Sequence, residues 1–355
     1  MKQTIVILIS LVLIALAACS NSPSPDSDSK ENQTNTLSNE RMLLVLSAPS
    51  VNEQYYAPAF DLIVDFQINY AKQIMGNDNV VIIVDCQTKS FYEGKVPEDI
   101  LITADVYDIW VRDFTTVNPL SPVQFTYTWA SMLRQQSREV QGSFSQLADQ
   151  LNIVRTKTDL LIDGGNIVDN YKGRVITTTR FLEDNNLSYA EGVSRLKDLL
   201  GASEVAIITP DEEVLAHSDG MVSWVDNDTL LINDYSTNPA LRTEVMNELN
   251  KAFPGISIIE VPVEYATNPP GQWDGFESAC GINLNATVTF NNIYVPTFGM
   301  SHEAAALRTI RENTTKNVIE VNAEGICAMG GSVRCLTWQL AGENAERLIL
   351  AARAQ

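Results

Sequence analysis

The chain has 355 residues, of which 24 are Lys or Arg and 44 are Asp or Glu, for a formal charge of −20. A field of that sign repels nucleic acid and attracts cations, although an acidic surface also serves solubility. With two histidines, no HExxH and no paired CxxC, zinc chemistry is excluded as a working reading and no metal or cofactor is called for.

The N-terminal run MKQTIVILISLVLIALAACSNS has Lys2, an apolar stretch too short for a comfortable membrane span, and Leu16-Ala17-Ala18 before Cys19. It resembles a bacterial lipoprotein signal. That resemblance implies a signal peptide over 1–18, lipidation of Cys19, attachment to a membrane through that lipid, and a place in the bacterial cell envelope; Ser20 after it suits release toward the outer membrane. Residues 19–41 are rich in Ser, Asn, Asp and Pro and nearly empty of large apolar residues, which predicts a disordered tether. Residues 42–355 carry no second linker and read as one α/β domain.

Five helix-like stretches are each followed by a short β-branched run: Asp61 to Met75 before VVIIVD, Ser143 to Leu151 before IVRT, Tyr189 to Leu200 before VAIITP, Pro239 to Phe253 before ISIIEVP, and His302 to Asn313 before NVIEVN. The intervals, roughly 50 to 70 residues, favour a propeller or array.

Four motifs between these units carry candidate chemistry. YDIWVRDFTTVNP holds Asp108, Trp110, Arg112 and Asp113, and LLIDGGN holds Asp163, each where a strand gives way to a turn. An Arg-Asp neighbour pair such as Arg112 and Asp113 is also a common salt bridge. LAHSDGMVSWVDNDTLLIND puts His217 and Asp219 two apart, on one face if extended, ahead of a strand, a turn and a second strand. His302 stands at a helix start with Ser301 as N-cap, which makes it structural. MGGSVRCLTWQL places Cys335 after Gly330-Gly331 and beside Arg334; glycines permit positive φ and close approach, and a nearby cation favours the thiolate. A lone cysteine there also suits a buried small hydrophobe.

The ordered set WVRD, DGGN, HSDG and GGSVRC, with Asn285 in GINLNATVTFNNIYVPTFG, resembles the guanidine-modifying (pentein) superfamily, in particular its agmatine deiminase and bacterial peptidylarginine deiminase branch. The resemblance spans nearly the whole chain after the tether. It implies a fivefold pseudosymmetric α/β propeller of ββαβ-type repeats, with Cys335 as nucleophile and His217 as general acid and base. Asp113 and Asp219 hold a guanidinium, and Trp110 and Arg112 join them as substrate contacts from the same motif. Asp163 stands where relatives carry a glutamate that orients the histidine, and Asn285 where an asparagine does related work. Asp163 is shorter than that glutamate, which puts its reach in question. Arg334 departs from the histidine usual before the cysteine in this branch; it either depresses the thiol pKa or lies outside the site.

The implied reaction is hydrolysis of a guanidinium to a ureido group and ammonia through a covalent thiouronium, on agmatine or on an arginine-containing peptide. An exported chain is better placed for the peptide, with Arg134 and Arg138 in the part of the chain where carboxylate-binding arginines are expected. An amidinotransferase of the same superfamily, a papain-like protease and a non-catalytic cation-binding lipoprotein are the competing classes; a protease of that type carries its cysteine early, whereas here it comes last. Cys86, Cys280, Cys327 and Cys335 follow Cys19. Connectivity is open, and Cys280 with Cys327 is the expected pair if one forms.

Overall fold

The computed structural model describes residues 33–268, 273 and 277–355. The expected signal peptide, the expected lipidation site Cys19 and most of the expected tether lie outside the described residues. The tether's predicted end at Arg41 is too late. Thr34 donates from its backbone N–H and its hydroxyl to Asp99 (2.8 and 2.7 Å), and the buried Asn35 donates to the Val80 carbonyl (2.7 Å) while accepting from Val80 N–H (2.8 Å). A carboxamide carries one donor face and one acceptor face, so Asn35 pairs with a strand as another strand would. Polar composition cannot distinguish that from a solvated segment.

The fold is mixed α/β, and the strands of the described residues fall into five sheets. Three share one plan: a short antiparallel pair, a helix, then a strand parallel to the second member. They are Val168–Asp169, Arg174–Thr178 and Glu204–Ile208; Val222–Trp224, Thr229–Asn233 and Ser257–Val261; and Thr287–Val288, Asn292–Thr297 and Asn317–Asn322. The crossover helices are Tyr189–Leu200, Pro239–Ala252 and Glu303–Glu312. A fourth sheet repeats the plan with the chain's two ends: Leu43–Ser47 runs parallel to Asn79–Val84 after the helix Phe60–Ile74, and its antiparallel partner is Trp338–Leu340. Leu101–Thr103 adds a further strand. In the remaining sheet Val123–Thr126 pairs in parallel with Thr156–Leu161 across the helix Gln135–Gln150.

Local chemistry explains the boundaries. Ser188 and Glu191 bond each other's backbone N–H as a capping box before Tyr189, and Gly201 closes that helix in the left-handed region. Asn238 caps the next helix with Pro239 in its first turn. Each crossover helix turns one apolar stripe inward. Leu196 and Leu200 meet Val205 and Ile207, and Val245 and Leu249 meet Leu230 and Ile232.

Three local expectations change. IVRT is a strand only at its end: Ile153 is buried at the helix exit, Val154 is exposed, and the Asn344 side chain bonds both Val154 backbone groups (2.9 and 2.8 Å). Ser301 does not cap its helix, because its hydroxyl goes to Glu264; the Glu303 carboxylate instead takes the N–H groups of Phe298 and Gly299. The C-terminal helix Gly342–Arg353, absent from the sequence reading, packs Leu348 and Ile349 against Leu43, Val45 and Trp338. Cys280 and Cys327 are disulfide-bonded, as expected.

Candidate active site

Each site motif occupies the same place in its unit, the connection just ahead of the unit's first strand. Asp163 precedes the turn Gly164–Asn166 and Val168–Asp169, and His217 precedes the turn Ser218–Gly220 and Val222–Trp224. Asn285 leads into Thr287–Val288, Cys335 into Trp338–Leu340, and Asp113 lies in the short helix Val111–Phe114. Equivalent connections of different sheets thereby bring distant residues together.

Two glycines allow the approach. A Cβ on Gly165 would lie 2.5 Å from His217 Nδ1 and 2.8 Å from Asp113 Oδ1, and one on Gly331 would lie 2.5 Å from the Trp110 ring. Gly331 therefore supplies the close approach and Gly330 the positive φ, at +94°. The Arg112 N–H donates to the Cys335 carbonyl (3.1 Å), fastening the Cys335 loop to the WVRD motif.

Cys335, His217, Asp113 and Trp110 line one cavity of about 470 Å3. Toward its mouth stand Tyr55, Tyr107, Trp129 and Arg134, and Arg134 stacks on the Trp129 ring with its guanidinium carbon 5.0 Å from the centroid. Arg138 is exposed outside the cavity lining.

The thiol is buried. Its sulfur is 3.4 Å from Asn285 Oδ1, which also accepts from the Ser332 hydroxyl (2.9 Å), and 4.0 Å from Asp219 Oδ2. Asn285 thus bonds the thiol and not the imidazole, which changes the role expected of it. Asn283 instead donates to the Pro296 carbonyl and faces His302, in a purely structural contact. Burial, followed by Asp219 and Asp113, pushes the Cys335 thiol well above its ordinary range. Of the two places left open for Arg334, the side chain lies outside the cavity lining and turns to Asp219.

His217 lies between carboxylates: Nδ1 is 3.8 Å from Asp113 Oδ1 and Nε2 is 3.5 Å from Asp163 Oδ2. Burial works against the charged ring, yet Asp113, Asp163 and Asp219 outweigh it and raise His217 to about 10, so the ring is an imidazolium at neutral pH. Asp163 reaches ion-pair distance despite its short side chain. Its oxygens also accept from Thr128 N–H and hydroxyl (2.8 and 2.9 Å) and from Ala130 N–H (3.1 Å), and so hold the cavity wall at Trp129. Burial, eased by His217 and reinforced by Asp163 and Asp219, raises Asp113 to about 7. Among the described residues no group of three or more His, Cys, Asp or Glu side chains has metal-ligand geometry.

Arg112 corrects the sequence reading. Its side chain is buried beneath the site, donates to Gln339 Oε1 (2.6 Å) and does not line the cavity. Burial and the like charge of Arg334 lower it to about 10. Asp219 is likewise not an open carboxylate, since Arg334 donates to its Oδ2 at 2.7 Å. Trp129, with Ala130 and Ser131, escapes the sequence altogether: all three have φ between +50° and +59°, and nothing in the letters WAS signals a left-handed run. Asp108 accepts from Tyr56 hydroxyl (2.7 Å) and Trp110 N–H (3.2 Å), and steadies the Trp110 wall.

Residues 37–341 match the family model of the Porphyromonas-type peptidyl-arginine deiminases. A comparison with curated proteins finds no match. Among solved structures, agmatine deiminase of C. jejuni is similar over 86% of this chain and 94% of its own, with TM-score 0.71 and 20% identity. A cysteine-to-serine variant of that enzyme with substrate bound is similar over 87% and 96%, with TM-score 0.69 and 18% identity. Agmatine deiminase of Enterococcus faecalis is similar over 87% and 95%, with TM-score 0.71 and 15% identity. At these identities the likeness is one of fold.

Proposed function

Since the chain belongs to the Porphyromonas-type peptidyl-arginine deiminase family, we propose that it hydrolyses the C–N bond of a guanidinium, releasing ammonia and leaving a ureido group. The observation that carries this reading is the convergence of Cys335, His217 and Asp113 on one cavity. Among the described residues the Asp113 carboxylate accepts one hydrogen bond, from Gly165 N–H at 2.9 Å, and so has acceptor capacity left for a planar cation. The Trp110 ring beside it offers a flat face to the same cation.

In the proposed reaction the guanidinium enters with its N–H edges toward Asp113. Its positive charge offsets the carboxylates that hold the thiol neutral, the Cys335 proton departs to solvent, and the thiolate adds to the central carbon. His217, already an imidazolium, protonates the departing nitrogen, and the C–N bond breaks to give ammonia and a thiouronium on Cys335. The now neutral His217 takes a proton from water, the hydroxide adds to the same carbon, and the C–S bond breaks. The sulfur leaves as a thiolate while the added hydroxyl gives up its proton to become the ureido oxygen, and that proton restores the Cys335 thiol, so the product carries oxygen where nitrogen left. Water and guanidinium are consumed; a ureido group and ammonium are formed.

Arginine in a peptide is the favoured substrate over agmatine. Arg134 at the cavity mouth suits a carboxylate, which agmatine lacks, while Glu53 in the same mouth would suit agmatine's ammonium. The test is ammonia and ureido formation by the reduced protein with agmatine, free arginine and a peptide ending in arginine side by side. Cys335→Ala should lower turnover by about 10⁶-fold, the scale on which loss of a covalent nucleophile acts. Equal product from the variant would end the covalent mechanism, and product from agmatine alone would reverse the substrate order.

The five sheets are proposed to stand around one pseudo-fivefold axis with the cavity at its end, which an experimental structure would test. Lipidation of Cys19 and attachment to the cell envelope are also proposed, supported by the Leu16-Ala17-Ala18-Cys19 sequence. Fatty-acid labelling that persists in Cys19→Ser would refute them.

A further inference from the structure

Arg334 has no part in the proposed reaction, yet it is a buried cation adjoining the nucleophile in sequence. Its guanidinium divides between two partners: Nη1 donates to Asp219 Oδ2 at 2.7 Å and Nη2 donates to the Ile167 carbonyl at 2.6 Å. One side chain therefore ties three connections together, those carrying Asp163, His217 and Cys335. The oxygen it holds is the one 4.0 Å from the Cys335 sulfur. Arg334 is not among the cavity-lining residues, so it does not meet substrate.

We propose that Arg334 is a positioning residue for catalysis, acting through Asp219 to fix the orientation of that carboxylate beside the nucleophile and to offset its charge there. The proposal rests on the deiminase reading above. The charged groups around the sulfur are Asp219 and Asp113, with Asn285 as the neutral neighbour; those around Arg334 are Asp219 and Asp169, with Tyr171 near and Arg112 as the second buried cation. Remove the Arg334 charge and the sulfur faces two carboxylates with neither paired to a buried arginine, a setting that opposes thiolate formation. Remove only the fork, and the charge remains while the Ile167 tie is lost, because an ammonium is a point donor and a guanidinium a planar one. One further consequence is that Asp219, buried, paired with Arg334 and absent from the cavity lining, leaves Asp113 to bear the recognition.

These two roles separate experimentally. The rate of alkylation of Cys335 by iodoacetamide is measured against pH in the full chain, with Cys335→Ala as background, for wild type, Arg334→Gln and Arg334→Lys, alongside circular dichroism and steady-state kinetics. Arg334→Gln should move the alkylation midpoint upward by about one pH unit or more, the scale of losing a nearby opposite charge. Arg334→Lys should keep the wild-type midpoint yet lose about tenfold in kcat/KM, since it restores charge without the fork. A folded Arg334→Gln with an unshifted midpoint overturns the proposal, as does a folded Arg334→Lys shifted as far as Arg334→Gln. If Arg334→Gln does not fold, Arg334→Lys decides: an unchanged midpoint with lowered kcat/KM supports the role, and any other pairing refutes it. Alkylation does not require turnover. Shifted alkylation in a chain that forms no ureido product overturns the deiminase reading and the positioning role with it, whereas deimination with unshifted alkylation overturns the positioning role alone.

Discussion

Two aspartates divide the molecule into a part that is finished and a part that is waiting. Asp78 accepts from Thr289 hydroxyl (2.9 Å), Asn292 Nδ2 (2.8 Å), Tyr294 hydroxyl (2.9 Å) and Met42 N–H (3.2 Å), and so closes the seam between the strands Asn79–Val84 and Asn292–Thr297. Among the described residues the Asp113 carboxylate accepts only from Gly165 N–H, with His217 at 3.8 Å and two more carboxylates near. Asp78 is buried, whereas Asp113 keeps 13% of its side chain exposed and lines the cavity, and only Asp78 has its lone pairs used. A fully bonded buried carboxylate is architecture; one with unused acceptors beside other acids is a site for a cation.

The largest expected effect separates the two directly. Asp113→Asn keeps an acceptor for Gly165 and removes the charge, so kcat/KM should fall by about 10³-fold, the scale of a buried charge contact. Its melting temperature should not fall at pH 8. The folded pKa of about 7 lies above the ordinary 3.8, so the Asp113 contribution to stability is full below pH 3.8 and is lost as pH rises through about 7. A neutral asparagine avoids that loss. A cooperative drop in melting temperature with unchanged kinetics would make Asp113 as structural as Asp78.

Asp78→Asn should do the opposite. All four of its partners are donors, and an amide nitrogen among them leaves at least one donor unpaired, costing about 3 kcal/mol in denaturant unfolding while leaving kcat/KM of the folded protein unchanged. Next in size, Gly165→Ala should lower kcat by about tenfold and stability by about 1–3 kcal/mol, since its methyl would overlap His217 and Asp113. A wild-type rate in that variant would mean that the His217–Asp113 spacing is not needed. In the wild type, kcat/KM should rise as pH increases through about 7, where Asp113 loses its proton, and fall above about 10, where His217 does. A profile flat from pH 6 to 8 would show that Asp113 does not titrate there. The smallest effect belongs to Thr289→Val, which removes one of four donors to Asp78 and should cost about 1 kcal/mol.

The five helix-and-strand repeats could be read before any coordinates because apolar periodicity switches between helix and strand spacing. Helices at Tyr189–Leu200 and Pro239–Ala252 stand within a residue of their predicted ends, where Ser188, Gly201, Asn238 and Pro239 supply local signals. The tether boundary, the Ser301 cap and the start of the strand after Ile153 differ because of partners distant in sequence: the Asn35 side chain pairs with the Val80 backbone, the Asn344 side chain with that of Val154, and Glu264 takes the Ser301 hydroxyl. The antiparallel partner of Leu43–Ser47 comes from the other end of the chain, a pairing that no local pattern encodes.

For the site, Cys335, His217, Asp113, Asp163 and Asp219 stand out by residue type beside turns, while their grouping into one site, and Asn285 altogether, came from the resemblance that the order of motifs carries. Which of them touch was a matter for tertiary structure. Burial and mutual distance decide that Asn285 meets the thiol, that Arg334 takes half of Asp219, that Arg112 lies under the cavity, and that the thiol pKa is pushed up. Charge state and partnership depend on desolvation and on groups brought within a few ångströms by folding, and neither distance nor dielectric is written along the chain.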